Sequence, residues 1–295
     1  MKETMHAYNS FKDRFKLFAS KERDILVNTL SNIFSMRIIG NKTHGDLAEI
    51  GISEFINQFM YDYESIHVGK DLFRSKSHEE DILIKSVVGS YKDVEIPVSL
   101  KAYGNGPLQL STDKNSAIYS YLTQYGEKIE NKDEINRIFA SNEFLSLFSI
   151  NVMPLIYDET QQKCNIMVFD FEKAKRNVYK ILFIDKNERF DKITGDIVQS
   201  KGRAHPIYLF VDSQGSYICE VRYGDASANA LQRGFWTHTK NASDYFDSLT
   251  NGWIDYSTNK TLVRLFAIAL NASRRGQEEA QEVLQRDIER LKSEK

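Results

Sequence analysis

Cysteine is nearly missing: Cys164 and Cys219 are the two in 295 residues, far apart and neither in a CxxC pair. That excludes a disulfide-stapled framework and a zinc site built on cysteine pairs, and it points to two buried free thiols. Proline is scarce, at four residues, and no Ser/Gly-rich tract or internal repeat marks a linker. Positive charge is not in excess either. Lys and Arg number 39 against 41 Asp and Glu, a net charge of -2. A protein that coats nucleic acid without specificity is clearly basic, so any such contact here must come from local basic patches. No apolar run approaches the length of a membrane span, and the charged stretch 1–21 does not read as a signal peptide. The expectation is a cytoplasmic protein with no membrane partner. No Walker A pattern is present, so motor activity driven by a nucleoside triphosphate has no support.

What is there is 41% hydrophobic residue content, enough for one sizeable core. Helical and strand periodicities alternate along the chain. The expected class is α/β (α+β), with one domain over 1–295. Phe11, Phe15, Phe18, Ile25, Leu26, Leu30, Ile33 and Phe34 predict a helix over 8–36. A second helix is predicted from about Asp46 to Tyr61, with Ile52, Phe55, Ile56, Phe59 and Met60 as its stripe. Glu49 falls on that inward face, where an unpaired carboxylate is costly. It is either an edge residue, the partner of a lysine, or a functional group.

Residues 65–80 read as an exposed connection, and Asp81 then opens a strand over 82–88. Turn residues around Gly89 lead into a second strand, Val94 to Lys101. Its Val94, Ile96, Val98 and Leu100 share one face, while Glu95, Pro97, Ser99 and Lys101 share the other. The hairpin brings Asp81 near Ser99 and Lys101. Residues 103–111 read as a loop, 114–149 as two helices and 185–201 as featureless surface. Strand pairs are expected over 152–157 with 165–171 and over 207–211 with 217–223. A last helix is expected around 262–270, and a charged, solvated helix over 274–295.

Phosphodiester hydrolysis needs a hard cation on oxygen ligands, an activated water and positive charge beside the phosphate. Asp81 suits the cation, with Glu49 in support and the Leu100 backbone carbonyl between the two functional side chains. Lys101 suits the water and the phosphate. Singly, Asp81 reads as a strand-start residue and Lys101 as a strand end. Together with Glu49, in this order, they suggest a site.

The order Gly45-x-x-x-Glu49, then Asp81-Ile82-Leu83-Ile84, then Glu95-Ile96-Pro97-Val98-Ser99-Leu100-Lys101 resembles the PD-(D/E)XK nuclease core of type II restriction endonucleases. Ser99 stands where that pattern has an acid, and the HaeIII-type endonucleases are similar around the Asp-Ile-Leu-Ile and Ser-x-Lys segments. The resemblance covers residues 40–112. It implies a mixed central β-sheet flanked by helices, a restriction-endonuclease-like core, and site-specific hydrolysis of double-stranded DNA. It also implies Mg²⁺ dependence with Mn²⁺ as substitute, a homodimer, and a cognate DNA methyltransferase. In that frame Asp81, Lys101, Glu49 and Ser99 are catalytic, and Asp81, Glu49 and Leu100 hold the metal. Glu95 shares the Ser99 face but lies further along the strand, and ranks behind Glu49. Other readings are a structure-selective or repair nuclease on the same core, and a non-catalytic nucleic-acid-binding module.

Residues 200–257 form the candidate DNA-recognition region. Arg222, Asn229, Gln232 and Arg233 are of the types that contact base edges, Lys240 suits phosphate and Trp236 suits stacking. Asn105 and Gln109 follow the catalytic strand and are further candidates. The plain alternative for both segments is ordinary loop structure.

Overall fold

The computed structural model describes residues 2–39, 44–68, 80–104, 106–111, 117–148, 150–200, 202, 205–222 and 234–270, with 278, 282, 286, 289 and 293 of the tail. The chain begins with α1 (Lys2–Lys21), α2 (Arg23–Ile39) and α3 (His44–Phe59). The single helix expected over 8–36 is thus two, parted at Glu22. There the Arg23 guanidinium leaves the helix axis to donate to the Thr250 and Trp253 carbonyls, at 3.0 and 3.2 Å.

Next come β1 (Tyr63–His67), β2 (Ile82–Ser86), β3 (Glu95–Gly104) and β4 (Pro107–Gln109). Helices α4 (Ile118–Thr123), α5 (Lys132–Ala140) and α6 (Asn142–Leu145) follow, with β5 (Lys128–Ile129) after α4. Then come β6 (Asn151–Asp158), β7 (Lys163–Phe169), α7 (Phe171–Asn177) and β8 (Lys180–Ile184). The remainder is β9 (Glu188–Phe190), β10 (Ile197–Gln199), β11 (Ile207–Val211), β12 (Tyr217–Arg222), β13 (Gly234–His238), β14 (Phe246–Ser248), β15 (Ile254–Asp255) and α8 (Lys260–Leu270).

These elements make a mixed α+β fold on two main sheets. The first has the order β1-β2-β3-β6-β7-β14, with β15 also on β7. Strands β3 and β6 are parallel and the other neighbours antiparallel. The alternation in β3 dictates its packing. Ile96, Val98 and Leu100 are buried, as are Ile82 and Ile84 opposite them, in one core with Ile52, Phe55 and Ile56 of α3. Each such side chain contributes about 1.5–3 kcal/mol relative to exposure. Pro97 sits in a central strand, where proline normally removes a rung. Pairing with β6 starts only at Val98, so none is lost on that side. The Asn151 amide donates to the Pro97 carbonyl at 3.1 Å.

The second sheet is antiparallel, in the order β4-β13-β12-β11-β8-β5. One face packs on an aromatic cluster including Phe139, Phe144, Phe210 and Phe235. The other carries Leu182, Ile184, Ile207, Leu209 and Val211, partly covered by Phe190.

Several expectations change. The stretch 103–111 is largely strand: β3 runs to Gly104, and β4 pairs with β13. Gly234 secures that junction. It has φ 91°, and a Cβ there would lie 2.6 Å from the Ser111 carbonyl oxygen. Residues 185–201 contain the β9–β10 hairpin, closed by the Asp191 carboxylate accepting from the Ile193 and Thr194 backbone. Both its faces are largely solvated, so no apolar period announced it. Residues 65–67 belong to β1. The expected strand pairs form as β6 with β7, which ends at Phe169, and as β11 with β12, and both cysteines are free and buried. Of the tail, Glu278, Glu282, Arg286, Glu289 and Ser293 are helical and exposed. Among the described residues no helix is long and apolar enough to cross a membrane.

Candidate active site

Asp81 stands one residue before β2, and its N–H donates to the Val98 carbonyl at 3.0 Å. Ile82 is the residue paired with Val98, so Asp81 and Ile82 both face Val98 in a bulge-like irregularity, and the Asp81 side chain comes to lie beside Ser99. Three successive residues of β3 then converge on one carboxylate oxygen. Asp81 Oδ2 accepts from Ser99 Oγ at 2.9 Å and from the Leu100 N–H at 2.7 Å. The Lys101 ammonium lies 3.9 Å from the same atom. Among the described residues Asp81 Oδ1 accepts no hydrogen bond. A strand residue turns its N–H and C=O to the same edge, so the Leu100 carbonyl also faces the Asp81 side.

Glu49 approaches from α3. It is 9% exposed, as its place on the apolar stripe requires. Its Oε2 lies 3.3 Å from His67 Nε2 on β1. Burial pushes the Glu49 carboxyl above the usual carboxylate range, and the negative charge of Asp81 pushes it the same way. The His67 hydrogen bond and the Lys101 charge pull it down. Glu49, His67, Asp81 and Lys101 therefore share one electrostatic field.

His67 escaped the sequence reading because β1 is patterned in reverse. Its inward side is Tyr63, Ser65 and His67, while Ile66 is 60% exposed. The buried polar side is satisfied locally. Ser65 Oγ meets Ser53 Oγ at 3.0 Å, and the Asn57 amide bonds both backbone groups of Ser65. The usable signal was the Tyr-x-Ser-x-His alternation itself.

The available donors are two carboxylates and a backbone carbonyl, all hard oxygen. Such a set suits Mg²⁺, which binds one or two protein carboxylates and keeps water or phosphate oxygens elsewhere. Among the described residues no group of three or more His, Cys, Asp or Glu side chains is gathered closely enough to cage an ion.

The candidate recognition residues fall on the second sheet. Register aligns Gln109, Trp236 and Glu220 across β4, β13 and β12. The Arg222 guanidinium lies 4.0 Å from the Trp236 ring centroid and pairs with the buried Glu220 carboxylate. Lys240 is exposed just beyond β13, its N–H on His238 Nδ1 at 3.2 Å. Gln109 is buried. Asn105, Asn229, Gln232 and Arg233 lie outside the described residues. Comparison with family models, curated proteins and solved structures returns no match.

Proposed function

We propose that this chain is a Mg²⁺-dependent endodeoxyribonuclease that hydrolyses double-stranded DNA at a short specific sequence, on a restriction-endonuclease-like core. The observation that carries the reading is the convergence of Ser99 Oγ, the Leu100 N–H and the Lys101 ammonium on Asp81 Oδ2, with Glu49 in the same field. Asp81, Glu49 and the Leu100 carbonyl are the residues that would hold Mg²⁺. The ion would supply Lewis-acid stabilisation of the scissile phosphate and a more acidic water. Lys101 orients the attacking water and offsets the charge that develops on the phosphate. Ser99 replaces an acid with a neutral donor, so it adds no charge and instead fixes the Asp81 rotamer. His67 holds Glu49 through the contact at 3.3 Å.

The Arg222–Trp236 pair and Lys240 are the described groups suited to DNA. Strand β4 leaves the catalytic strand β3 directly and joins the sheet that carries them. That continuity links cleavage to recognition. A homodimer and a cognate methyltransferase belong to the same reading. The test is Lys101→Ala, which should abolish cleavage and leave sequence-specific binding intact; a fully active variant would overturn the assignment.

A further inference from the structure

On the Ser99–Lys101 face of β3 lies a cavity of about 610 Å³, walled by α1, the start of β3, β6 and the β7–α7 junction. Glu95 and Pro97 line it. Pro97 precedes Ser99 by two residues on the same face, roughly 7 Å along a strand. Asp81, Ser99 and Lys101 are not among its lining residues, so the cavity begins about two residues along β3 from the candidate phosphate site. Its volume lies within the span of about 300–1,000 Å³ usual for small-molecule pockets.

The lining selects a chemistry. Aromatic carbon comes from Tyr8 on α1 and from the half-buried Phe171 at the start of α7, which suits a flat ring. The polar lining carries donors as well as acceptors, Thr4, Asn9 and Asn151 among them. Four carboxylates, Glu95, Asp170, Glu172 and Asp247, face two ammonium groups, Lys12 and Lys175. Asp247 is engaged by Lys16, and Asp170 caps α7 through the Lys173 N–H. Glu95 and Glu172 are exposed and accept no hydrogen bond among the described residues. Solvent reaches both, and a ring that displaces that water from an ionised carboxylate must bring N–H donors.

We propose that this cavity takes an amino-bearing nucleobase (adenine, cytosine or guanine), and that in bound DNA the base enters by leaving the stack beside the phosphate at Asp81 and Lys101. The second half rests on the nuclease reading; the ring chemistry of the cavity does not. Extruding a base is the general route by which a protein brings a base inside a pocket. Carboxylates are the side chains that accept from the exocyclic amine of cytosine.

The experiment uses the full chain as the Lys101→Ala variant, with duplexes carrying 2-aminopurine at each position of the cleaved sequence in turn. Binding is followed separately by fluorescence anisotropy, and cleavage by the wild-type chain in parallel. The expected result is a several-fold rise in 2-aminopurine fluorescence at one position, lost with Phe171→Ala and reduced with Glu172→Gln. Unchanged fluorescence at every position in DNA that is bound, and cut by wild type, overturns extrusion while the nuclease reading stands. A rise that ignores both substitutions also overturns it, because the base has gone elsewhere.

A second arm tests free adenosine, cytidine and thymidine by saturation-transfer NMR. Adenosine and cytidine should give signals that Glu172→Gln and Glu95→Gln weaken, and thymidine, with a single ring N–H and no amine, should give a weaker one. Nucleoside signals without extrusion would restrict the cavity to free ligands. No nucleoside signal together with no extrusion overturns the cavity's role altogether. If DNA is neither bound nor cut, the nuclease reading fails and the nucleoside arm alone judges the cavity.

Discussion

Replacing Ser99 by aspartate puts a carboxylate where a hydroxyl now donates to Asp81 Oδ2 at 2.9 Å. Two effects add. The hydrogen bond to a charged acceptor is lost, worth about 1.5–3 kcal/mol. Two like charges about 4 Å apart repel by roughly 4 kcal/mol at an effective dielectric of about 20. Lys101, 3.9 Å from Asp81 Oδ2, offsets part of that repulsion. The Ser99→Asp chain should therefore be destabilised by about 2–4 kcal/mol in EDTA at pH 7. The repulsion raises one carboxyl pKa in the folded state above its unfolded value. The folded chain then holds more protons, and stability falls as pH rises through that window. The penalty should accordingly shrink towards pH 4. Mg²⁺ neutralises the pair, so it should restore much of the loss. Ser99→Ala loses only the hydrogen bond, and its deficit should not respond to Mg²⁺. Urea unfolding of the three chains in EDTA and in Mg²⁺, at pH 4 and pH 7, measures all of this. A Ser99→Asp chain as stable as wild type in EDTA, or indifferent to Mg²⁺, would refute the reasoning.

Glu49→Gln should be as stable as wild type or more so at pH 7–8, because the folded carboxyl is pushed upward and its ionisation opposes folding. That advantage should vanish below about pH 4, where both folded and unfolded carboxyls are protonated; a larger deficit at pH 8 than at pH 4 would count against it. Arg222→Ala strands the buried Glu220 carboxylate and should lower stability by about 1–3 kcal/mol. Adding Glu220→Gln should restore stability, and DNA affinity measured by anisotropy should remain weakened. Tyr8→Phe removes a buried hydroxyl that has no hydrogen-bond partner among the described residues, so thermal unfolding should be unchanged or up to about 1 kcal/mol more stable.

The Asp81–Ser99–Lys101 arrangement was legible because strand alternation has a period of two and a hairpin fixes which residues face each other. Glu49 was legible because a carboxylate on an apolar helical stripe stands out. His67 was not, since β1 hides polar residues inside and shows Ile66 outside. Hydrophobic pattern then points the wrong way. Strand β13 was overlooked for a related reason. Its inward residues are Phe235 and Thr237, and a threonine in the core breaks the apolar signal. The alignment of Gln109 with Trp236 joins segments more than a hundred residues apart, which no local period encodes. Gln109 is of a base-reading type, and its burial in the sheet opposite Trp236 is a placement that residue type does not encode.

Incubation of unmethylated phage or plasmid DNA with the purified protein, in Mg²⁺ and in EDTA, tests the central claim most directly. The account predicts discrete fragments in Mg²⁺, none in EDTA, and ends that map to one short sequence. A smear would contradict site specificity and favour a nonspecific or structure-selective nuclease. Intact DNA from a chain shown to be folded would contradict the nuclease reading itself and leave a binding module.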